Sequence, residues 1–116
     1  MSTKSHTVID VDALFDALVA PIRREVVEIL GHGPCPAGEL ANVAGVSPST
    51  MSRHLRVLLD AGVVAAARDH DDARIRVFSL RPESMGTLRG WLDDLEATWA
   101  TRLESFRAHA ERGTRR

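Results

Sequence analysis

The chain has 116 residues, 44% hydrophobic and 27% charged, proportions that suit one globular domain and exclude a disordered or fibrous chain. Its 15 basic and 16 acidic side chains leave a formal net charge of −1, which excludes a uniformly basic nucleic-acid coat but not a local basic patch. One cysteine cannot form an internal disulfide, no apolar run approaches the roughly 18 residues of a membrane span, and MSTKSHTVIDVD lacks a signal peptide's apolar stretch, so a cytoplasmic protein is expected. Tyrosine is absent and aromatics make up 4%, so the core must be built from Leu, Val, Ala and Ile. A chain of this size buries only about two-thirds of its unfolded surface, which makes a second chain an expected source of further burial.

Residues 1–9 show no pattern and are expected to be flexible. Between Val11 and Leu30 two helical patterns meet at Pro21. Asp12 can cap the first, in which Leu14, Phe15 and Leu18 recur at helical spacing. Pro21 suits the first position of the second, where its missing N–H costs nothing. Ile22, Val26, Ile29 and Leu30 mark its inner stripe, with Arg23, Arg24, Glu25 and Glu28 outside, and Gly31-His32-Gly33-Pro34 stops it. Pro36 can open a third short helix with Leu40 and Val43 pointing inward, closed by Gly45.

VSPSTMSRHLRVLLDAG, from Val46 to Gly62, is the most informative stretch. Ser47 followed by Pro48 is a cap residue and a first-turn proline, so a helix starts there and Gly62 closes it. Helical spacing gathers Met51, Leu55, Leu58 and Gly62 on one face and Ser49, Ser52, Arg53 and Arg56 on the opposite one. From Val63 to Leu80 the pattern turns β-compatible: VVAAAR and RIRVFSL flank the polar turn Asp69-His70-Asp71-Asp72-Ala73. Alternation is imperfect, since Ile75 and Val77 oppose Arg74, Arg76, Phe78 and Leu80, and a twist or bulge would reconcile it. Pro82 and Ser84 restart helix. Met85, Leu88, Leu92, Leu95, Trp99, Leu103, Phe106 and Ala110 then form a near-heptad seam over 82–110, with residues 111–116 expected to fray.

A short helix, a glycine-containing turn and a capped second helix (36–62), followed by a hairpin (63–80), are the parts of a winged helix-turn-helix. The class expected is mainly α with a small β-hairpin, in one domain. DNA binding by such a unit needs small donors and acceptors near the start of the second helix and basic groups farther along. Ser49, Thr50 and Ser52 meet the first need and Arg53 and Arg56 the second, while Arg68, Arg74 and Arg76 suit the arms of the wing. Each residue alone fits a solvated surface helix better; together with the cap, the turn and the wing they favour double-stranded DNA. The acidic hairpin tip would repel phosphate, so contact is expected from the arms. His54 lies between the two faces and can pack within the fold or contact phosphate.

LFDALVAPIRREVVEIL, GELANVAGVSPSTMSRHLRVLLDAGVV and RIRVFSL resemble the ArsR-type winged helix-turn-helix regulators over nearly the whole chain. The C-terminal WLDDLEATWATRLESF is similar to the end of a subgroup with no recognised metal site. The resemblance implies a dimeric repressor of an inverted-repeat operator, with Ser49, Ser52, Arg53 and His54 at DNA. It also implies a homodimer joined through the first and last helices, which with the seam selects Leu14, Leu18, Leu92, Leu95, Trp99, Leu103 and Phe106 as the interface. Pro48 stands where the family often has glutamine, which removes one usual base contact.

Metal-sensing members place a Cys-x-Cys pair where this chain has Pro36 and Gly38. Cys35 alone cannot make a soft-metal trap of two or three thiolates. The last helix has carboxylates but no histidine pair at ligand spacing. His6, His32, Cys35 and His109 remain as weak candidates that could converge across a dimer, so no cofactor is expected, with nickel or zinc as the alternative. A regulator acting mainly through a protein partner is a further alternative. An enzyme is not expected: Ser52 and His54 do not face each other on a helix, and no phosphate loop, nucleophile elbow or carboxylate pair is present.

Overall fold

The computed structural model of the protein describes residues 9–114. Asp10, not Asp12, caps the first helix: its carboxylate accepts from the Asp12 amide at 3.2 Å, and α1 runs Val11–Ala17. A turn at 18–20 leads to α2, Pro21–Leu30, with proline in its first turn as expected. Ile9, placed by sequence in a flexible tail, packs against the core, and 1–8 lie outside the described residues.

The third helix, α3 (Ala37–Ala44), begins one residue later than expected because Cys35–Pro36 form a short strand, β1. Gly45 ends α3 at φ 71°, a left-handed conformation that favours glycine. Helix α4 spans Pro48–Asp60 behind the Ser47 cap, whose hydroxyl accepts from the Thr50 amide at 3.1 Å. Gly62 follows at φ 81°, a conformation that favours glycine, and a Cβ there would also crowd the Ile9 side chain at 3.3 Å.

Strands β2 (Val64–Arg68) and β3 (Arg76–Leu80) pair antiparallel, and β1 joins the other edge of β3. The expected hairpin is therefore part of a three-stranded sheet of order β1-β3-β2. No bulge is needed. The register Val64↔Leu80, Ala66↔Phe78 and Arg68↔Arg76 puts these pairs on one face, with Phe78 buried. Ile75 belongs to the turn, where its amide donates to the Asp72 carbonyl at 3.0 Å, so it never enters the alternation.

Leu14, Val26, Leu40, Met51, Leu55, Leu58, Val63, Val64 and Phe78 form the heart of one core between the four short helices and the sheet. Val43, expected to point inward, is exposed; Ala41 takes that place. Helix α5, Pro82–Thr114, starts against this core through Leu88 and continues past Gly113. The segment 111–114, expected to fray, is helical. At 33 residues α5 is about 50 Å long, and from Trp91 onward almost every side chain lies open.

Candidate nucleic-acid interface

Helix α4 is divided as its spacing predicts. Met51, Leu55 and Leu58 are buried, while Ser49, Ser52, Arg53 and Arg56 are exposed together. Thr50 is half-buried and partly used by the cap, its Oγ1 accepting from the Ser47 hydroxyl at 3.0 Å. Arg56 lies 3.6 Å from Asp60, with both side chains largely in water, a contact weak enough for a phosphate to displace. Arg53 has no hydrogen-bonded or ion-paired partner among the described residues.

The three wing arginines separate into different roles. Arg76 leans over the Phe78 ring, its guanidinium carbon 5.1 Å from the centroid. With Ser52, Arg53, Arg56 and Phe78 it lines a cleft of about 550 Å³ between α4 and the sheet. Arg68 sits directly across from Arg76, an unfavourable like-charge pairing, and its Nη1 donates to the Ala73 carbonyl at 3.0 Å. Arg74 is tied to Asp72 by two parallel bonds of 3.1 and 3.0 Å, which hold the Asp72 carboxyl below its ordinary range and raise the Arg74 guanidinium. The Asp69 carboxylate accepts from the amides of Asp71 and Asp72, so the acidic tip is a self-satisfied turn.

His54 is half-buried on the flank of α4, and its Nδ1 lies 3.1 Å from Nη1 of Arg23. A guanidinium can only donate, so Nδ1 accepts. Arg23, expected outside the fold, is thereby a bridge: its Nε donates to the Ala17 carbonyl at 2.6 Å and its Nη2 to that of Asp16 at 3.4 Å. Arg24 adds bonds to the carbonyls of Leu18 and Val19 at 2.7 and 2.9 Å, so two arginines of α2 satisfy the exposed end of α1 and the turn after it. Burial first, then the charges of Arg23 and Arg53, lower the pKa of His54. A histidine held neutral in the folded state contributes stability above its unfolded value of about 6.5, lost as pH falls through the lower folded value. His54→Gln, which keeps an acceptor but does not titrate, is expected to flatten the fall in melting temperature below about pH 6.5. An unchanged acid limb in the variant would assign that limb to other groups.

Among the described residues no three His, Cys, Asp or Glu side chains are grouped to hold a metal ion. Cys35 is buried in β1, and burial, with Glu39 nearby, pushes its thiol up, away from the thiolate a metal needs. His32 is exposed just beyond α2 and His109 is exposed near the far end of α5. His6 lies outside the described residues.

The seam is present but its membership changes. Leu92, Leu95, Trp99, Leu103 and Phe106 are exposed along α5. Leu14, expected in the same surface, is 0% exposed and belongs to the protomer's own core; Leu18 is half-buried. Phe15 takes the outward place on α1, its ring meeting Trp91 edge to face at 5.1 Å. Trp91 was missed because the heptad count steps from Leu88 to Leu92, although Trp91 also lies at helical spacing from Leu88 and Leu95. An exposed apolar strip of this length on one helix marks an interaction surface.

Residues 18–65, from the end of α1 to the start of β2, match the family described as a helix-turn-helix domain. The HTH-type transcriptional regulator Rv2034 of Mycobacterium tuberculosis is 37% identical over 95 residues, covering 82% of this chain and 83% of that protein. The transcriptional repressor SdpR of Bacillus subtilis is 28% identical over 79 residues, or 68% of this chain and 84% of that one. The solved ArsR-like transcriptional regulator from Rhodococcus sp. RHA1 superposes with a TM-score of 0.73 at 26% identity, covering 86% of this chain and 89% of that one. The likeness extends beyond the helix-turn-helix to the wing and the final helix, and on it the chain belongs to the ArsR family of winged helix-turn-helix transcriptional regulators.

Proposed function

We propose that the protein is a homodimeric repressor that binds an inverted-repeat DNA operator in the cytoplasm, each protomer placing α4 in a major groove. The observation that carries the reading is the division of α4: its inner face is locked into the core while Ser49, Ser52, Arg53 and Arg56 stand exposed on the other. The cleft shared with Arg76 gives the wing a cation on the same side, suited to the DNA backbone. The open ridge of α5 supplies the pairing surface, and a two-fold pair of α4 helices calls for a palindromic site. The Bacillus relative is a transcriptional repressor, and occupancy of a promoter operator would produce repression here. No metal enters the reading: Cys35 is buried with its thiol pushed up, and the exposed His32 and His109 stand apart, one in the turn after α2 and the other near the far end of α5.

Ser49 and Ser52 are assigned to base edges, and Arg53 and Arg56 to phosphates. Ser49→Ala is expected to weaken operator binding by about 1–3 kcal/mol and to leave random DNA nearly unaffected. Arg56→Ala should weaken both and flatten the salt slope by about one unit per half-site. The measurement is a titration of each variant on operator and random duplexes across a salt series. Equal losses for the serine variant on both duplexes would sink the base assignment.

A further inference from the structure

We propose that Arg23 is a positioning residue that fixes His54 in one tautomer, so that Nε2–H projects from the flank of α4 as an uncharged donor to a DNA backbone phosphate. The inference rests on the DNA-binding reading above and extends it to a residue outside α4. Its basis is a chain of hydrogen bonds. The Arg23 Nε and Nη2 are anchored on the carbonyls of Ala17 and Asp16, which aims Nη1 at Nδ1 of His54, 3.1 Å away. Because Nδ1 must accept, the proton of a neutral ring resides on Nε2.

The position of Nε2 follows by elimination. It has no hydrogen-bond partner among the described residues, and no buried side-chain nitrogen or oxygen among them lacks a partner. A half-buried ring with an unpartnered nitrogen that is not buried presents that nitrogen to solvent. The preceding residue, Arg53, belongs to the exposed basic face. His54 lies about 100° further round the helix, on the flank between that face and the buried one, the side from which a helix in the major groove can reach the sugar-phosphate wall. The charged groups acting on the ring are Arg23, from α2, and Arg53, from its own helix, and no carboxylate among the described residues pairs with it. Both cations and burial oppose a second proton, so the contact is made by a neutral imidazole.

A neutral donor has a signature that a cationic one lacks. Binding through it releases no counterion, so removing it weakens DNA binding without altering the salt slope. Phosphates are common to all sequences, so a duplex of random sequence serves as the probe. His54→Ala is expected to bind it roughly two- to tenfold more weakly per protomer with an unchanged slope. In the full-length wild type, ring nitrogen NMR at about pH 8 should show Nδ1 unprotonated and Nε2 protonated, with affinity changing less between about pH 8 and 6.5 than in a variant lacking the Arg23 guanidinium. Arg23→Met keeps an aliphatic stem but no donor; its His54 should titrate nearer the ordinary value, and its affinity should rise, with a steeper salt slope, as pH falls through that range. Loss of a structural contact alone would not produce a gain of affinity on acidification.

A wild-type ring protonated on Nδ1, or mixed between tautomers, overturns the lock, whether or not the variant folds. A locked ring with wild-type affinity in His54→Ala overturns the phosphate contact. A locked ring in a protein that binds neither random duplex nor promoter DNA would fail the DNA-binding reading and leave the tautomer lock intact.

Discussion

Trp99→Asp is expected to yield monomers whose operator affinity is lower by about 10²–10⁴, the avidity that linking two half-site contacts supplies. Trp99 is 62% exposed on α5, so the protomer's core does not depend on it and the variant should keep that core folded. In the pair, the indole would lie within an apolar ridge that includes Leu95 and Leu103, and an aspartate there would be a buried charge with no partner. Sedimentation equilibrium and a DNA titration on the same preparation check both halves of the expectation. A variant that still sediments as a dimer would place the pairing surface elsewhere.

Leu58→Ala should cost about 2–5 kcal/mol of folding stability, a large share of the roughly 5–15 kcal/mol typical of a domain. Leu58 is 0% exposed on the inner face of α4, and its removal leaves a cavity beneath the DNA-facing helix. The adjacent Val57 is an internal control: it is 38% exposed, and Val57→Ala is expected to stay within about 0.5 kcal/mol. Denaturant midpoints at an unchanged slope would read the difference directly. Equal effects at the two neighbours would show that α4 does not sit in the core as described.

Features set by local chemistry were legible in the chain. Ser47-Pro48 announced the start of α4, its spacing sorted the buried from the exposed face, and the heptad steps exposed the ridge of α5. What escaped depends on partners distant in sequence. Cys35–Pro36 becomes a strand only because β3 offers an edge, pairing Cys35 with Phe78, and no two-residue pattern reveals that. Leu14 and Phe15 both lie at helical spacing, and which faces inward is decided by where α5 passes and what Trp91 requires. Arg74 has the pattern of a wing-arm cation, and only the turn brings Asp72 to it. Arg23 read as a solvated charge because its acceptors lie on α1 and on α4, 31 residues away.

The part of α5 beyond Leu88, most of its 33 residues, has almost nothing from its own chain to rest on. Helices acquire most of their stability from a packed face, so in the proposed dimer this segment would be completed by association. With the ridge as the pairing surface, folding of this segment and assembly are one equilibrium, governed by the copy number of the chain. Well below the midpoint of that equilibrium, the concentration of operator-competent species rises with the square of the number of chains. Doubling expression there would raise promoter occupancy about fourfold while the sites remain mostly empty. A pairing helix of this kind would make the response to dose steeper than a single-chain regulator allows, without any change in the DNA-facing surface.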